Sequence, residues 1–255
     1  MENQAHRRHD ISDRAWDLLK DHLPGRGGSW GGRAKNNRLF LNAVFWIFRT
    51  GSPWRDLPSD YGDWKNTHRR FCRWRDTGMW ESLLEKLIDD PDFEWLMIGP
   101  SYVKAHFHEA GAIGGNQDMN RTKGGFNSKI HLAVDAHGMP VRALITKGSS
   151  ADYIQAPLLI GGFVVEHLLA GRAYDTDAIV DQAKQKQMQV VIPPKRNRAH
   201  QRQYDKHLHK LRHLVKNAFL QLKQWRGIAT RYAKNTASFL AAIQIRGLAL
   251  WLKIS

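Results

Sequence analysis

The spacing of apolar side chains predicts helices in the first third of the chain. Across residues 11–23 apolar residues recur every three or four positions, and Ser12 precedes them as an N-cap. A second apolar run fills residues 36–51 and stops at Gly51, a residue type that commonly ends helices. We therefore expect an all-α N-terminal region.

Residues 62–78, GDWKNTHRRFCRWRDTG, predict an amphipathic helix with one basic face. Trp64, Phe71 and Trp74 fall on its apolar face at helical spacing. The opposite face collects the cations Lys65, Arg69, Arg70 and Arg73. A helix, a turn and a basic helix are typical of a helix-turn-helix DNA reader. An ordinary solvated helix face is the alternative.

After residue 94 the pattern changes from helical periodicity to short apolar runs. Five such runs predict strands, at residues 95–108, 127–138, 139–149, 166–171 and 190–195. The turn DAHGMP joins the second and third of them as a hairpin. Helical segments are expected at residues 152–163, 176–188, 203–224 and 236–252. This order predicts an α/β fold, an RNase H-like mixed five-stranded sheet flanked by helices.

The stretch DDPDFE suggests a boundary between these two parts. We expect a helical, helix-turn-helix-like DNA-binding region over residues 1–93 and an RNase H-like domain over residues 94–255.

Charge narrows the choice of partner. The chain carries a formal net charge of +15, and residues 195–234 hold twelve Lys and Arg against the single acid Asp205. Such a concentration favours a polyanion, and nucleic acid is the commonest one. The single cysteine, Cys72, excludes an internal disulfide framework and is expected to be a core thiol. No apolar run reaches membrane-spanning length, so we expect no membrane partner and a cytoplasmic location.

Several long motifs resemble the transposases of the IS5 family of bacterial insertion sequences. They are GSPWRDLPSDYGDWKNTHRRFCRWRDTGMWE, the segment from Ser101 to Arg142, VVIPPKRNR, and LRHLV followed by RGIATRYAKNTASFLA. The resemblance implies DDE chemistry on an RNase H-like core. An Asp on the first strand, an Asp after the fourth strand and a Glu in a Tyr-x2-Arg-x3-Glu-x6-Lys motif would hold two Mg²⁺ ions about 3.5–4 Å apart.

None of these three acids is present in this chain. The first Asp aligns with Gly99, the second with Gly171, and the Glu with Lys216. Around Lys216 the motif spacing is kept, with His209 in place of the Tyr and with Arg212 and Lys223 matching. The resemblance therefore implies a site that has lost its Mg²⁺ ligands, and we expect no cofactor and no metal.

Neighbouring acids offer poor replacements. Asp135 lies in the predicted hairpin turn, where a carboxylate is typical of turn formation. Asp175 and Asp177 lie at the start of a predicted helix, where an acid caps backbone N–H groups.

Two histidine patterns suggest other chemistry. His106 and His108 match the His-hydrophobe-His pattern of nucleases that use a tyrosine nucleophile, but three residues are a weak signal. His209 and His213, with His207 nearby, have the spacing of a helical metal chelate. A solvated helix that faces DNA explains them more simply.

The sequence thus predicts a catalytically inactive relative of an IS5-type transposase that binds double-stranded DNA, including terminal inverted repeats, as a homo-oligomer at the bacterial nucleoid. An active transposase that uses other carboxylates for Mg²⁺-dependent cleavage and strand transfer is the alternative, and a folded relic without function is the third possibility. The expected DNA contacts are Lys65, Arg69, Arg70, Arg73, Lys104, Lys123, Lys195, Arg196, Arg198, Arg212 and Lys223.

Overall fold

A computed structural model describes residues 10–25, 36–88, 90–106 and 117–254. Its N-terminal part is helical, as the periodicity predicted. The Ser12 side chain accepts a hydrogen bond from the Ala15 N–H, and Gly51 closes the second helix in the left-handed conformation at φ 71°. The four helices are α1 (Asp13–Leu19), α2 (Asn37–Thr50), α3 (Trp64–Asp76) and α4 (Met79–Leu87).

The connection between α2 and α3 is longer than a helix-turn-helix requires. Residues 51–63 separate them and include 3-10 turns at Trp54–Asp56 and Ser59–Tyr61. The turn of a helix-turn-helix spans only three or four residues. A short turn instead follows the basic helix, at Thr77 and Gly78, and leads into α4. The helices α2 and α3 therefore do not form a helix-turn-helix with the usual short turn.

The described part of the second half contains a mixed sheet of seven strands. They are β1 (Trp95–Ala105), β2 (Asn120–Thr122), β3 (Gly125–Val134), β4 (Pro140–Lys147), β5 (His167–Leu169), β6 (Gln189–Val191) and β7 (Thr230–Arg231). All five predicted strands are present. The prediction of five strands missed β2 and β7, since their residues, NRT and TR, include no apolar side chain that would mark a strand.

The five predicted strands run in the order β4-β3-β1-β5-β6. β1 pairs antiparallel with β3, and β3 pairs antiparallel with β4 through the predicted hairpin. On its other side β1 is parallel to β5, which is parallel to β6. This mixed topology is the RNase H-like fold that the order of elements predicted.

Helices cover both faces of the sheet. They are α5 (Ala156–Ile160), α6 (Asp177–Gln185), α7 (Lys206–Lys210), α8 (His213–Lys223), α9 (Arg226–Ala229) and α10 (Thr236–Trp251). The single helix expected over residues 203–224 is wrong. The backbone at Leu211 and Arg212 bonds three residues back, to Leu208 and His209, and this tighter turn separates α7 from α8.

The N-terminal helices and the sheet share one hydrophobic core. It joins Trp74 and Trp80 with Val215, Phe239 and Leu248 among many others. A second cluster fills the opposite face of the sheet and includes Leu96, Ile98 and Leu159. The proposed boundary at residues 93 and 94 therefore separates two parts of the chain that are packed together. Within the described ranges, no helix is long and apolar enough to cross a membrane.

Candidate functional site

Gly99 lies in the middle of β1 on the face that packs against α8. Met97 and Val103, on the same face by strand alternation, belong to the core cluster that contains Val215 of α8. A Cβ added to Gly99 would lie 3.2 Å from Cγ1 of Val215. The fold therefore brings the position of the first acid against the residue that precedes Lys216.

Gly171 lies beside Gly99 at the end of the neighbouring parallel strand. The last registered pair of β1 and β5 is Met97 with Leu169, and each glycine follows two residues later. A Cβ on Gly171 would lie only 2.5 Å from Nη1 of Arg212 and 3.4 Å from its Cζ. The Arg212 guanidinium thus occupies the space that a second acid would need.

The third position, Lys216, lies on α8 in one stripe with Arg212 and Lys223, at spacings of four and seven residues. The Lys216 side chain is exposed. Lys223 is half-buried, and its Nζ donates hydrogen bonds to Oγ of Ser101 at 2.8 Å and to the carbonyl of Tyr102 at 2.9 Å. Burial lowers the pKa of this lysine. Lys223 therefore ties α8 to β1 and is less available to DNA than the sequence suggested.

His209, which replaces the motif tyrosine, lies in the same corner. Its ring packs edge-on against Tyr204 with centroids 5.5 Å apart. Burial is the main cause of the lowered pKa of the His209 imidazole, and the nearby Arg212 lowers this pKa further. The lowered pKa favours the neutral imidazole of His209. The positive charge of this corner therefore comes from Arg212 and Lys216.

The fold gathers the three positions as the resemblance implied, but the residues present do not fit Mg²⁺. A pair of Mg²⁺ ions needs several carboxylate oxygens, and these positions offer two glycines and an ammonium group. Arg212 and Lys216 would also repel a cation. Among the described residues, no group of three His, Cys, Asp or Glu side chains is placed to hold a metal ion.

The Asp175 carboxylate is buried and accepts hydrogen bonds from other parts of the protein. The residue is 2% exposed, and its Oδ2 accepts hydrogen bonds from the Lys195 N–H and from Nε of Arg198, each at 2.7 Å. Its Oδ1 accepts one from Nη2 of Arg202 at 3.0 Å. Burial by itself would raise the pKa of Asp175, but these donors outweigh it and the pKa is lowered.

The predicted helix cap at Asp175 is wrong. Thr176 caps α6, because its side chain accepts the Ile179 N–H, and Asp177 lies in the first turn, where it pairs with Arg198. Arg198 therefore pairs with two carboxylates, those of Asp175 and Asp177. The prediction of Arg198 as a DNA contact did not foresee this pairing. Arg202 has no signal in the sequence that marks it, because its partner lies 27 residues away along the chain.

Asp135 has the turn-forming role that the sequence predicted. It is 1% exposed, and its Oδ1 accepts the N–H groups of His137 at 3.0 Å and Met139 at 2.8 Å. Burial raises its pKa. These bonds hold the hairpin between β3 and β4, one strand away from Gly99.

The basic face of α3 divides into one structural cation and an exposed stripe. Arg70 packs over the rings of Phe40 and Trp74, 4.1 and 4.9 Å from their centroids, and donates to Oδ1 of Asn37. Burial lowers its pKa to about 10. Its expected place on the exposed face is therefore wrong, because the helix turns it toward α2. The exposed stripe consists of Lys65, Arg69 and Arg73, four residues apart.

Of the remaining DNA-contact candidates, Lys104, Lys123 and Arg196 are exposed. Lys195 is half-buried, with its Nζ 5.8 Å from the ring centroid of Tyr153. Arg231, within the basic C-terminal stretch, is fully buried and bonded to Ser128. Part of the positive charge that the sequence shows is thus held inside the fold.

The histidine patterns gain no support from the geometry. The ring of His106 packs against Tyr232 with centroids 5.1 Å apart, while His108 lies outside the described residues. His209 and His213 fall on either side of the break between α7 and α8, and Nδ1 of His213 is 3.0 Å from the carbonyl of Lys210.

Cys72 is half-buried and lines a cavity of about 620 Å³ between α2, α3 and the segment after β7. Its Sγ is 3.5 Å from Nε2 of His68, and burial raises the thiol pKa. The expectation of a core thiol holds in part, since one side of the residue faces this cavity.

Comparison with known proteins identifies the family. Residues 101–245 match the model described as "Transposase DDE domain". The chain belongs to the DDE transposase family. Residues 11–84, which contain α1 to α3 and most of α4, match a second model described as "Putative transposase of IS4/5 family". Gly171 and Lys216 lie inside the matched DDE range, whereas Gly99 lies two residues before it.

Three curated relatives each match about half of this transposase-family chain. "Uncharacterized protein y4sN" of Sinorhizobium fredii is 37% identical over 49% of this chain and 95% of the relative. "Putative transposase for insertion sequence element IS6501" of Brucella ovis is 32% identical over 49% of the chain and 98% of the relative. "Insertion element IS402 uncharacterized 16.2 kDa protein" of Burkholderia cepacia is 28% identical over 44% and 80%. No solved structure matches.

Proposed function

We propose that this chain is a DNA-binding member of the transposase family that does not catalyse DNA cleavage or strand transfer. One observation carries the proposal: the fold brings Gly99 and Gly171 together beside α8, and the positions that meet there hold two glycines, Arg212 and Lys216 instead of carboxylates. Cleavage by two metal ions requires carboxylates at this point to hold the ions that activate the nucleophile and stabilise the leaving oxygen. A site built from Gly99, Gly171 and Lys216 has no carboxylate to hold these metal ions.

DNA binding is supported by the accessible cations. The stripe Lys65, Arg69 and Arg73 runs along α3, and Arg212 and Lys216 lie at the former catalytic corner. Such groups suit backbone phosphates, which fix a protein on a duplex. The proposed sites are terminal inverted repeats, and two copies of the chain would match the two-fold relation of such repeats. DNA binding would place the protein at the nucleoid in the bacterial cytoplasm.

A plasmid assay tests the loss of catalysis. Supercoiled plasmid that carries matching inverted repeats should stay intact with the protein in Mg²⁺ or Mn²⁺. Nicks that require metal and follow the protein through purification would overturn the proposal and favour the active transposase.

A binding assay tests the rest. The protein should retard a duplex of the inverted repeat more strongly than a scrambled duplex of equal length and composition. Equal retardation of the two would overturn recognition of terminal repeats. If protein with an intact melting transition binds neither duplex, the proposal of DNA binding fails. The remaining possibility is then a folded relic without function.

A further inference from the structure

The corner between β1, β5 and α8 is cationic without any metal. Arg212 lies against Gly171, Lys216 is exposed one helical turn further along α8, and Arg172 is exposed directly after Gly171. In the described part of the chain, no carboxylate forms an ion pair with Arg212 or Lys216. A cationic corner of this kind attracts anions.

We propose that the former two-metal site is an anion site that binds one backbone phosphate of DNA directly, with Arg212 and Lys216 providing the positive charge that Mg²⁺ would supply. This inference rests on the proposed DNA binding and specifies one contact within it. The ligand is a phosphodiester of a duplex, and no metal takes part.

The replacements change the sign of the local charge. Three carboxylates without metal would carry three negative charges and repel a phosphate, so such a site depends on its ions to approach DNA. In this chain two of those positions are neutral and the third carries an ammonium group. The positive charge of this site therefore attracts a phosphate without the help of divalent ions.

The shape of the corner also suits a phosphate. Because Gly171 has no side chain, the Arg212 guanidinium reaches the end of β5, where its planar fork offers paired N–H donors that match phosphate oxygens. Lys216 adds a flexible point charge at the solvent edge. The backbone at Gly171 has φ −77°, a value open to any residue, so its conformation does not require glycine.

Two acids of this half of the chain, Asp152 and Asp175, are already paired with cations. Asp175 accepts hydrogen bonds from Lys195, Arg198 and Arg202. Asp152 pairs with Lys129, whose Nζ is 2.7 Å from its Oδ1. Neither carboxylate is left to compete with a phosphate for Arg212 or Lys216.

The first test measures binding of a labelled inverted-repeat duplex in EDTA over a range of salt concentrations. The parent should bind without Mg²⁺. Lys216→Ala should weaken binding about tenfold and reduce the log–log salt slope by about 0.9, the value for a single phosphate. Lys216→Arg should keep most of the affinity. Lys184→Ala, which removes an exposed charge from α6, should change neither quantity measurably.

The second test restores the acids. Gly99→Asp with Gly171→Asp and Lys216→Glu should bind the duplex weakly in EDTA and more tightly in Mg²⁺. Its melting temperature should rise with Mg²⁺ alone, by mass action, while that of the parent stays constant. A folded triple variant that binds in EDTA as tightly as the parent would overturn the inference.

The outcomes separate the two proposals. If the folded parent binds no duplex, DNA binding itself fails, and this inference fails with it. If the parent binds but Lys216→Ala behaves like Lys184→Ala, or if the parent binds only with Mg²⁺, the anion site is overturned while DNA binding stands.

Discussion

Two glycines at neighbouring strand positions differ in what surrounds them. At Gly99 an added side chain would meet the branched, packed Val215, which belongs to the core. At Gly171 it would meet only the far end of Arg212, a long side chain with room to rotate. The same substitution should therefore have different consequences at the two sites.

We expect Gly171→Asp to change the free energy of unfolding by less than about 1 kcal/mol, because Arg212 shifts and pairs with the new carboxylate. Gly99→Asp should destabilise the protein by about 1–3 kcal/mol, because it crowds Val215 and buries a charge. Urea unfolding at neutral pH measures both.

Arg212→Ala provides the control for this comparison. In that background Gly171→Asp should lose the benefit of pairing, so the two changes should be non-additive. Equal destabilisation by Gly171→Asp and Gly99→Asp would contradict the picture of a fixed Val215 and a movable Arg212.

At the scale of elements, Asp175 joins the two loops that follow the neighbouring parallel strands β5 and β6. It follows the 3-10 turn Arg172–Tyr174 after β5, and its three donors belong to residues 195–202 after β6. This clamp holds the basic loop in place and explains why Arg198 and Arg202 are turned toward Asp175.

Asp175→Asn should lower the free energy of unfolding by about 3 kcal/mol at pH 7, because it leaves Arg202 without its charged partner and Arg198 with Asp177 alone. The folded-state pKa of Asp175 is lowered, so its stabilisation is present above the unfolded value of about 3.9 and is lost as pH falls through the folded value. The parent and the variant should therefore converge in acid. A difference that stays constant down to about pH 2, below the usual carboxyl range, would contradict the clamp.

The α3 helix carries two kinds of cation with separable effects. Lys65→Ala, Arg69→Ala and Arg73→Ala together should reduce the salt slope of DNA binding by about 0.9 for each phosphate that these side chains neutralise, and should leave the melting temperature unchanged. Arg70→Ala should instead lower the melting temperature, since this cation packs on Phe40 and Trp74.

The matched control removes three exposed lysines outside α3, at Lys86, Lys184 and Lys253. This variant loses the same net charge and should keep the parent slope. An equal drop in both variants would mean that α3 contributes only to the overall charge of the protein.

For the whole molecule, the shared core predicts cooperative unfolding. Trp80 in the N-terminal helices and Trp225 in the body are both buried in the same cluster. We expect one urea transition, with coincident midpoints for tryptophan fluorescence and for far-ultraviolet circular dichroism. Two separated transitions would show that residues 1–93 and 94–255 unfold as independent domains.

The sequence by itself determined the kinds of element and the identity of the family. Periodicity located α1 to α3 and five of the strands, because the period of two or 3.6 is a local property of the chain. Motif spacing assigned the acid positions to Gly99, Gly171 and Lys216, and the fold places Gly99, Gly171 and α8 next to one another.

Only the tertiary structure decided which charges are free. Arg70, Arg198 and Arg231 look like DNA contacts or members of a basic stretch in the sequence, yet each has partners in distant segments. Local patterns cannot show such pairing, because burial of a charge depends on which remote carboxylate or ring the fold places beside it. The same holds at Gly171: the motif aligns this glycine with an acid of the family, and only the packed chain shows that the Arg212 guanidinium lies against it.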